Sequence, residues 1–274
     1  MHLRKAGLKA SAGALVALLA LAACSETTDT AAPTESAETA APAPAPDYAA
    51  LLTAPGRPAD DAADDEARKT AETLAFIGLL PGDAVLELEA GSGYYTELFA
   101  GAVGPDGKVL MQNPPEFDSF AGEAVEARLA DNRLPNVTLV KTHFDQLDAP
   151  DNSVDVVTWV LGPHELFYKT DAFPDGLGDV QTSYAEVFRV LKPGGRFIVL
   201  DHAAAAGAGS ETGGTLHRID PAIVKADAAA AGFAVGAESD LLANPEDDHT
   251  KMVFDPSVRR HTDQFLVRFV KPAS

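Results

Sequence analysis

Residues 84–110, AVLELEAGSGYYTELFAGAVGPDGKVL, constrain the fold of this chain more than any other stretch. The apolar run Ala84–Leu88 is long enough for one strand, a glycine-bearing turn follows, and Tyr94–Val103 reads as a helix. GPDG then makes a second turn into another strand, KVLMQN. Two strands joined by a helix must lie parallel, because a tight hairpin has no room for the crossover. The alternation continues downstream. Phe117 to Asp131 reads as a helix, VTLVKTH and SVDVVTWVL as strands. Tyr184, Val187, Phe188 and Leu191 form a helical stripe, and KPGG turns into the strand RFIVLDH. Asp220-Pro221 caps a helix running through Ala231 and ended by Gly232, before the strands FAVGAES and TDQFLVRFVKP. Upstream, DDAADDEARKTAETLAFIGLL predicts one helix with Ala71, Leu74, Ile77 and Gly78 on a face, stopped by Pro81-Gly82.

Such a pattern predicts an α/β domain: a mostly parallel sheet with helices on both faces. Crossovers in these sheets are right-handed, and ligands sit at the carboxyl ends of the strands near the topological switch point. The residues that matter should therefore be Glu87 to Gly93, Asn113, His143, Gly162 to Glu165, and Asp201-His202.

The N-terminus carries a different signal. MHLRKAGLKA has Arg4, Lys5 and Lys9 and no acid, and SAGALVALLALAA is a short apolar run. A basic segment followed by such a run is an export signal too short to span a bilayer comfortably. It ends in LAAC, which resembles a bacterial lipobox, with cleavage before Cys24 and acylation of that residue. Cys24 is the only cysteine among 274 residues, so no internal disulfide competes for it. Acyl chains on Cys24 would hold the protein to a membrane surface. Ser25, in place of the aspartate linked to inner-membrane retention, points to the periplasmic face of the outer membrane. Residues 1–23 thus read as a signal peptide. Residues 24–58, rich in Ala, Pro, Thr, Ser and Glu, read as a disordered spacer that buries too little apolar surface to order itself. Residues 59–274 read as the folded domain.

Charge narrows the function classes. With 41 acids against 21 bases and a formal net charge of −20, the surface repels phosphate backbones, which argues against nucleic acid as a partner. A small-molecule substrate is the better expectation.

Taken together, VLELEAGSGYYT, DNSVDVVTWVL and AEVFRVLKPGGRFIVLDH resemble class I methyltransferases that depend on S-adenosylmethionine. More narrowly, RKTAETLAFIGLLPGDAVLELEAGSGYYTELFA, TLHRIDPAIV and TDQFLVRF are similar to a bacterial group of methyltransferase-like proteins, often exported. The resemblance spans about residues 60–272. It implies a Rossmann-like, seven-stranded sheet with an antiparallel last strand, and S-adenosylmethionine as cofactor. It also assigns positions. Gly91 and Gly93 match two glycines of the cofactor loop, which permit a tight turn and close approach of ligand to backbone. Glu87 matches the acid that ends the first strand and helps hold the cofactor's amino-acid end.

Three positions depart from that pattern. Glu89 replaces the first loop glycine, so its carboxylate either projects into the pocket or turns out to solvent. Asn113 stands where an acid usually grips the ribose hydroxyls, and His143 stands where an aspartate usually meets the adenine, with Asp145 two residues on. For the chemistry itself, His164 and His202 follow the fourth and fifth strands. A histidine there can accept a proton from the methyl acceptor or position it, with His164 the first choice and His202 the second. His217, in TLHRID, lies on a loop able to reach the same place. The same residues permit an alternative: a binding protein without turnover, holding a nucleoside-like ligand or a metal through His164, Glu165, Asp201, His202 and His217. No paired-histidine or zinc-finger spacing marks such a site, so the sequence alone assigns no metal.

Overall fold

The computed structural model describes residues 44–169, 174 and 176–273; the expected signal segment, Cys24 and the first part of the expected spacer lie outside them. The elements in chain order are α1 (Tyr48–Leu52), α2 (Ala59–Ala62), α3 (Thr70–Ile77), β1 (Ala84–Leu88), α4 (Tyr94–Val103), β2 (Lys108–Asn113), α5 (Asp118–Leu129), β3 (Val137–Lys141) and β4 (Val154–Val160). They continue with α6 (Val180–Val190), β5 (Leu191–His202), α7 (Glu211–Leu216), α8 (Pro221–Ala230), β6 (Ala234–Ser239) and β7 (Gln264–Val270). Strands run in the order β3-β2-β1-β4-β5-β7-β6, and β7 alone is antiparallel to its neighbours. The order reverses between β1 and β4, which places the switch point where the glycine loop ends β1.

Strand alternation sorts the core into two layers. Val157, Trp159, Phe197, Val199, Val267 and Phe269 face one side of the sheet, where Tyr184 and Val187 of α6 and Val224 and Ala228 of α8 cover them. Val156, Ile198, Leu200 and Leu266 face the other, against Leu74 and Ile77 of α3 and Leu98 and Phe99 of α4. This is period-two burial on a sheet covered on both sides. Among the described residues, no helix is long and apolar enough to cross a membrane.

Three expectations change. First, the folded part begins before residue 59. Tyr48 donates its hydroxyl proton to the Leu79 carbonyl at 3.0 Å, and Leu51 and Leu52 pack on the core layer beneath α3 and α4. Arg57 then makes a two-pronged pair with Asp65, both contacts 2.6 Å. The two leucines have apolar area to bury that the composition of the spacer as a whole obscures. Second, the helix expected from the DDAADDEA run is broken: α2 ends at Ala62, Lys69 has φ 42°, and α3 starts at Thr70. The acids between them are committed elsewhere, Asp65 to Arg57 and to the Tyr94 hydroxyl at 2.5 Å. Third, KPGG does not stand apart from its strand. β5 already pairs at Leu191 with Val154, then loops out until Arg196 meets Val156, with Gly194 at φ 79°. That is a bulge inside a strand rather than a turn before one.

A chain beginning at residue 59 should unfold with a stability lower by roughly 3 kcal/mol than one beginning at residue 44, from lost partial burial of the two leucines and lost part-buried hydrogen bonds. Denaturant titration of the two chains measures the difference; equal midpoints would contradict the packing of α1.

Candidate functional site

The glycine loop is fixed by the end of β2. Gln112 accepts the Glu89 N–H on its side-chain oxygen and the Ala90 N–H on its carbonyl, each at 3.0 Å, and donates its amide to the Thr142 carbonyl. Asn113 accepts the Gly91 N–H and donates back to the Gly91 carbonyl, both at 2.8 Å. Its amide is therefore spent on shaping the loop. Buried Arg128 of α5 donates to the Ser92 carbonyl at 2.6 Å and pairs with Glu97. Gly93 has φ 87°, and a Cβ there would stand 2.7 Å from Arg128 Cδ, so only glycine fits. Gly91 has φ 57°, but a Cβ on it would meet nothing within 4 Å. Its open side faces free space at the start of α4.

Beneath the loop, Glu87 is buried and accepts a 2.5 Å hydrogen bond from the Thr96 hydroxyl. Burial pushes its carboxyl up to about 8, against the counter-pull of Thr96 and Arg128. Glu89 adopts φ 56°, a left-handed conformation costly for a side chain of this size. Its carboxylate turns inward, accepting the Trp159 indole N–H at 3.0 Å from β4, the strand paired with β1. Burial, and then the neighbouring Glu165 carboxylate, hold its carboxyl well above the usual range. Leu161, which follows β4, is also left-handed at φ 57°.

At the far end of the loop, His143 Nε2 pairs with Glu116 at 2.9 Å. Asp145 accepts the Asp179 N–H with one oxygen, while its other oxygen is buried without a partner among the described residues. His143 and Asp145 line a cavity of about 570 Å³ together with Leu166, Phe167 and Gly178.

The histidines gather at the ends of β4 and β5. Asp201, fully buried, accepts three N–H bonds: the His164 backbone at 2.9 Å, His164 Nδ1 at 2.8 Å and the His202 backbone at 2.7 Å. His164 sits in a short 3₁₀ turn, Pro163–Phe167, and its Nε2 lies 3.3 Å from His217 Nδ1 and 3.3 Å from Glu165. Burial pulls this imidazole down, but Asp201 and Glu165 outweigh it and hold its pKa up at about 10. Burial works against Glu165 too, yet its bonds to His164 and His217 keep it at about 2. His202 goes the other way: burial brings it to about 3, although Asp201 is near, and its Nδ1 meets the Thr262 hydroxyl at 2.7 Å. Arg218, next to His217, is fully buried and pairs with Asp247 at 2.8 Å, so it serves the loop and faces no ligand.

His202 also lines a second cavity of about 180 Å³, walled by Tyr95, Leu161, Leu200 and Phe254 and rimmed by Arg68, Arg259 and Arg260. His164 lies one layer behind, its ring 6.2 Å from that of His202. The structure thus joins Glu87, Glu89, Gly91, Gly93 and Asn113 in one loop assembly and His164 with His217. It sets His143 and Asp145 on a separate wall. Arg128, Trp159 and Leu161 join the site without a motif to announce them; Trp159 alone leaves a trace in the sequence, as the single tryptophan near the end of a strand that abuts the switch point.

Sheet order, switch point and glycine loop define a class I methyltransferase fold. The sequence profile of the ubiE/COQ5 methyltransferase family matches residues 66–209, more than half the chain, and the chain belongs to that family. It is similar to the ubiquinone/menaquinone biosynthesis C-methyltransferase UbiE of Ectopseudomonas mendocina, 35% identical over 130 residues, which is 47% of this chain and 45% of the relative. The chain thus matches about half the length of its curated relatives. Among solved structures, a SAM dependent methyltransferase from Aquifex aeolicus superposes with a TM-score of 0.51 at 20% identity, over 76% of this chain and 98% of the other. The [4+2]-cyclase SpnF does so with 0.53 at 18% identity, over 80% and 84%. At these identities the two structures establish the fold, and the cyclase shows that the fold does not fix the reaction.

Glu87 yields a pH test. Its native carboxyl is raised to about 8 from 4.5, so the folded state binds the proton more tightly than the unfolded chain. Its contribution to stability is full below pH 4.5 and is lost as pH rises through 8. Glu87→Gln removes this dependence. The variant's stability relative to wild type should climb by up to about 1.4 kcal/mol per pH unit between those limits, as read by denaturation at pH 4.5, 6 and 8.5. A pH-independent difference would mean that Glu87 is ionised in the fold.

Proposed function

We propose that this protein is an S-adenosylmethionine-dependent methyltransferase acting on a small, largely apolar acceptor. The observation that carries the reading is Gly91: left-handed, open on its outer face, at the N-terminus of α4 and flanked by the inward Glu89 carboxylate. The residues present fit the cofactor. Backbone N–H groups at the start of α4 suit its carboxylate, and its cationic end would favour ionisation of Glu89, whose carboxyl pKa burial otherwise holds high. The unpartnered Asp145 oxygen suits the adenine amino group, with His143 beside it. When bound, the cofactor supplies a methyl group on a positively charged sulfur.

The chain's own residues then select and align the acceptor. Tyr95, Leu161, Leu200 and Phe254 give the cavity beside the switch point an apolar wall, and His202, neutral at ordinary pH, offers an acceptor there a hydrogen bond. Arg259 at the mouth suits an acceptor with a negative edge, while Arg68 and Arg260 there pair with Asp64. His164 holds its proton tightly under Asp201, so it positions rather than removes a proton. Alignment of the acceptor carries most of the catalysis. The UbiE relative is named for C-methylation in quinone biosynthesis, and an aromatic ring carbon is an acceptor these walls can take. The N-terminal basic and apolar segments and Cys24 support export and lipid anchoring at the cell envelope, where the acceptor would be met.

A second reading, binding without turnover, draws on Asn113. Its amide is committed to Gly91, which leaves the ribose hydroxyls without the usual grip. Calorimetry with S-adenosylmethionine and its demethylated product separates the readings from a wrong ligand altogether. Both ligands should bind, and Glu89→Gln should weaken each by about tenfold, ~1.4 kcal/mol. No heat with either at millimolar ligand would overturn the proposal; tight binding with no methyl transfer to any aromatic acceptor tested would favour the second reading.

A further inference from the structure

We propose that His164, Glu165 and His217 bind one divalent transition-metal ion, of the zinc or cobalt kind. His164 Nε2, His217 Nδ1 and Glu165 Oε1 form a nearly equilateral triangle with sides of 3.3, 3.3 and 3.1 Å. Ligand atoms placed about 2.0–2.1 Å from a tetrahedral ion stand about 3.3 Å apart, so the triangle has the dimensions of one tetrahedral face. Two imidazole nitrogens and a carboxylate oxygen have three edges. Protons on the two imidazoles satisfy the two edges to Glu165 and leave the nitrogen–nitrogen edge without one. An ion takes a lone pair from all three, in place of the proton that Nε2 otherwise carries. Two imidazoles and one carboxylate are also the donor set of borderline metals rather than of magnesium or calcium.

The surroundings are those of a prepared site. Asp201, fully buried, takes the His164 Nδ1–H at 2.8 Å, which fixes the ring and turns Nε2 into the triangle. A carboxylate behind a ligating histidine is the usual outer support of such sites. His217 reaches the triangle because α7 docks on the 3₁₀ turn without side chains between them. A Cβ on Gly213 would stand 2.5 Å from the His164 carbonyl, and one on Gly214 2.8 Å from the Phe167 carbonyl. His217 itself takes a left-handed backbone, φ 53°, at the end of α7. The rings of Tyr168 and Phe254, 4.7 and 5.1 Å away, flank its imidazole. Three protein ligands leave a fourth position for water or an acceptor oxygen, with the Glu89 carboxylate close enough to feel the charge of Glu165. The site stands on its own geometry and does not require methyl transfer.

Cobalt(II) chloride tests it, because tetrahedral cobalt gives intense visible bands that octahedral cobalt in water lacks. Untagged full-length chain, freed of metal by chelator and dialysis, should develop these bands up to one equivalent of cobalt. His217→Ala and Glu165→Gln should each weaken cobalt binding by at least the roughly 10–100-fold that loss of an outer support costs, whereas His261→Ala, at an exposed position just before β7, should leave it unchanged. Circular dichroism of each variant separates loss of the site from loss of the fold. Folded wild type without bands, or bands that persist in folded His217→Ala, would overturn the proposal.

Discussion

The buried Asp201 carboxylate is the interaction on which the site depends. It lies next to the last residue of β5 with no exposure, and a carboxylate there is tolerable only because three N–H groups point at it. Two of those donors belong to His164, so the turn after β4 is fastened to the end of β5 at both backbone and ring. With the turn fixed, α7 has a surface to dock on, and His217 arrives beside His164. Removing the carboxylate would release the ring, the turn and the docked helix together.

Around this anchor the backbone carries strain where ligands are expected. Glu89, Leu161 and His217 are all left-handed without being glycine, at a cost on the order of 1–2 kcal/mol each. Glu89 and Leu161 follow the two strands that flank the switch point, and His217 closes the histidine cluster. The surrounding bonds over-determine them: Gln112 and Trp159 hold Glu89, the Leu200 carbonyl accepts the Leu161 N–H at 2.7 Å, and Glu165 meets His217. Strain retained in three neighbouring places fits a pocket shaped for a ligand rather than for stability alone.

The sheet was legible because its strands are short apolar runs separated by turn residues, and parallel pairing follows from the helices between them. The loop was legible because Gly91 and Gly93 need conformations that few residues tolerate. What was not legible depends on partners far along the chain. The direction of Glu89 is decided by Trp159, and the commitment of Asn113 is decided by the backbone of Gly91 rather than by its own chemistry. The start of the domain was misplaced because Tyr48, Leu51 and Leu52 sit inside an Ala/Pro-rich stretch, where composition hides three packing residues. His164 and His217 lie 53 positions apart, and only the glycines of α7 bring them together.

If the methyl donor lies over the glycine loop at Gly91, with Glu89 turned inward, a crystal structure of the full chain with S-adenosylhomocysteine should show the amino-acid end over Gly91, its ammonium within hydrogen-bond distance of Glu89, and the adenine against His143 and Asp145. A ligand seated instead in the cavity beside His202, or a Glu89 carboxylate swung out to solvent in the complex, would contradict that placement.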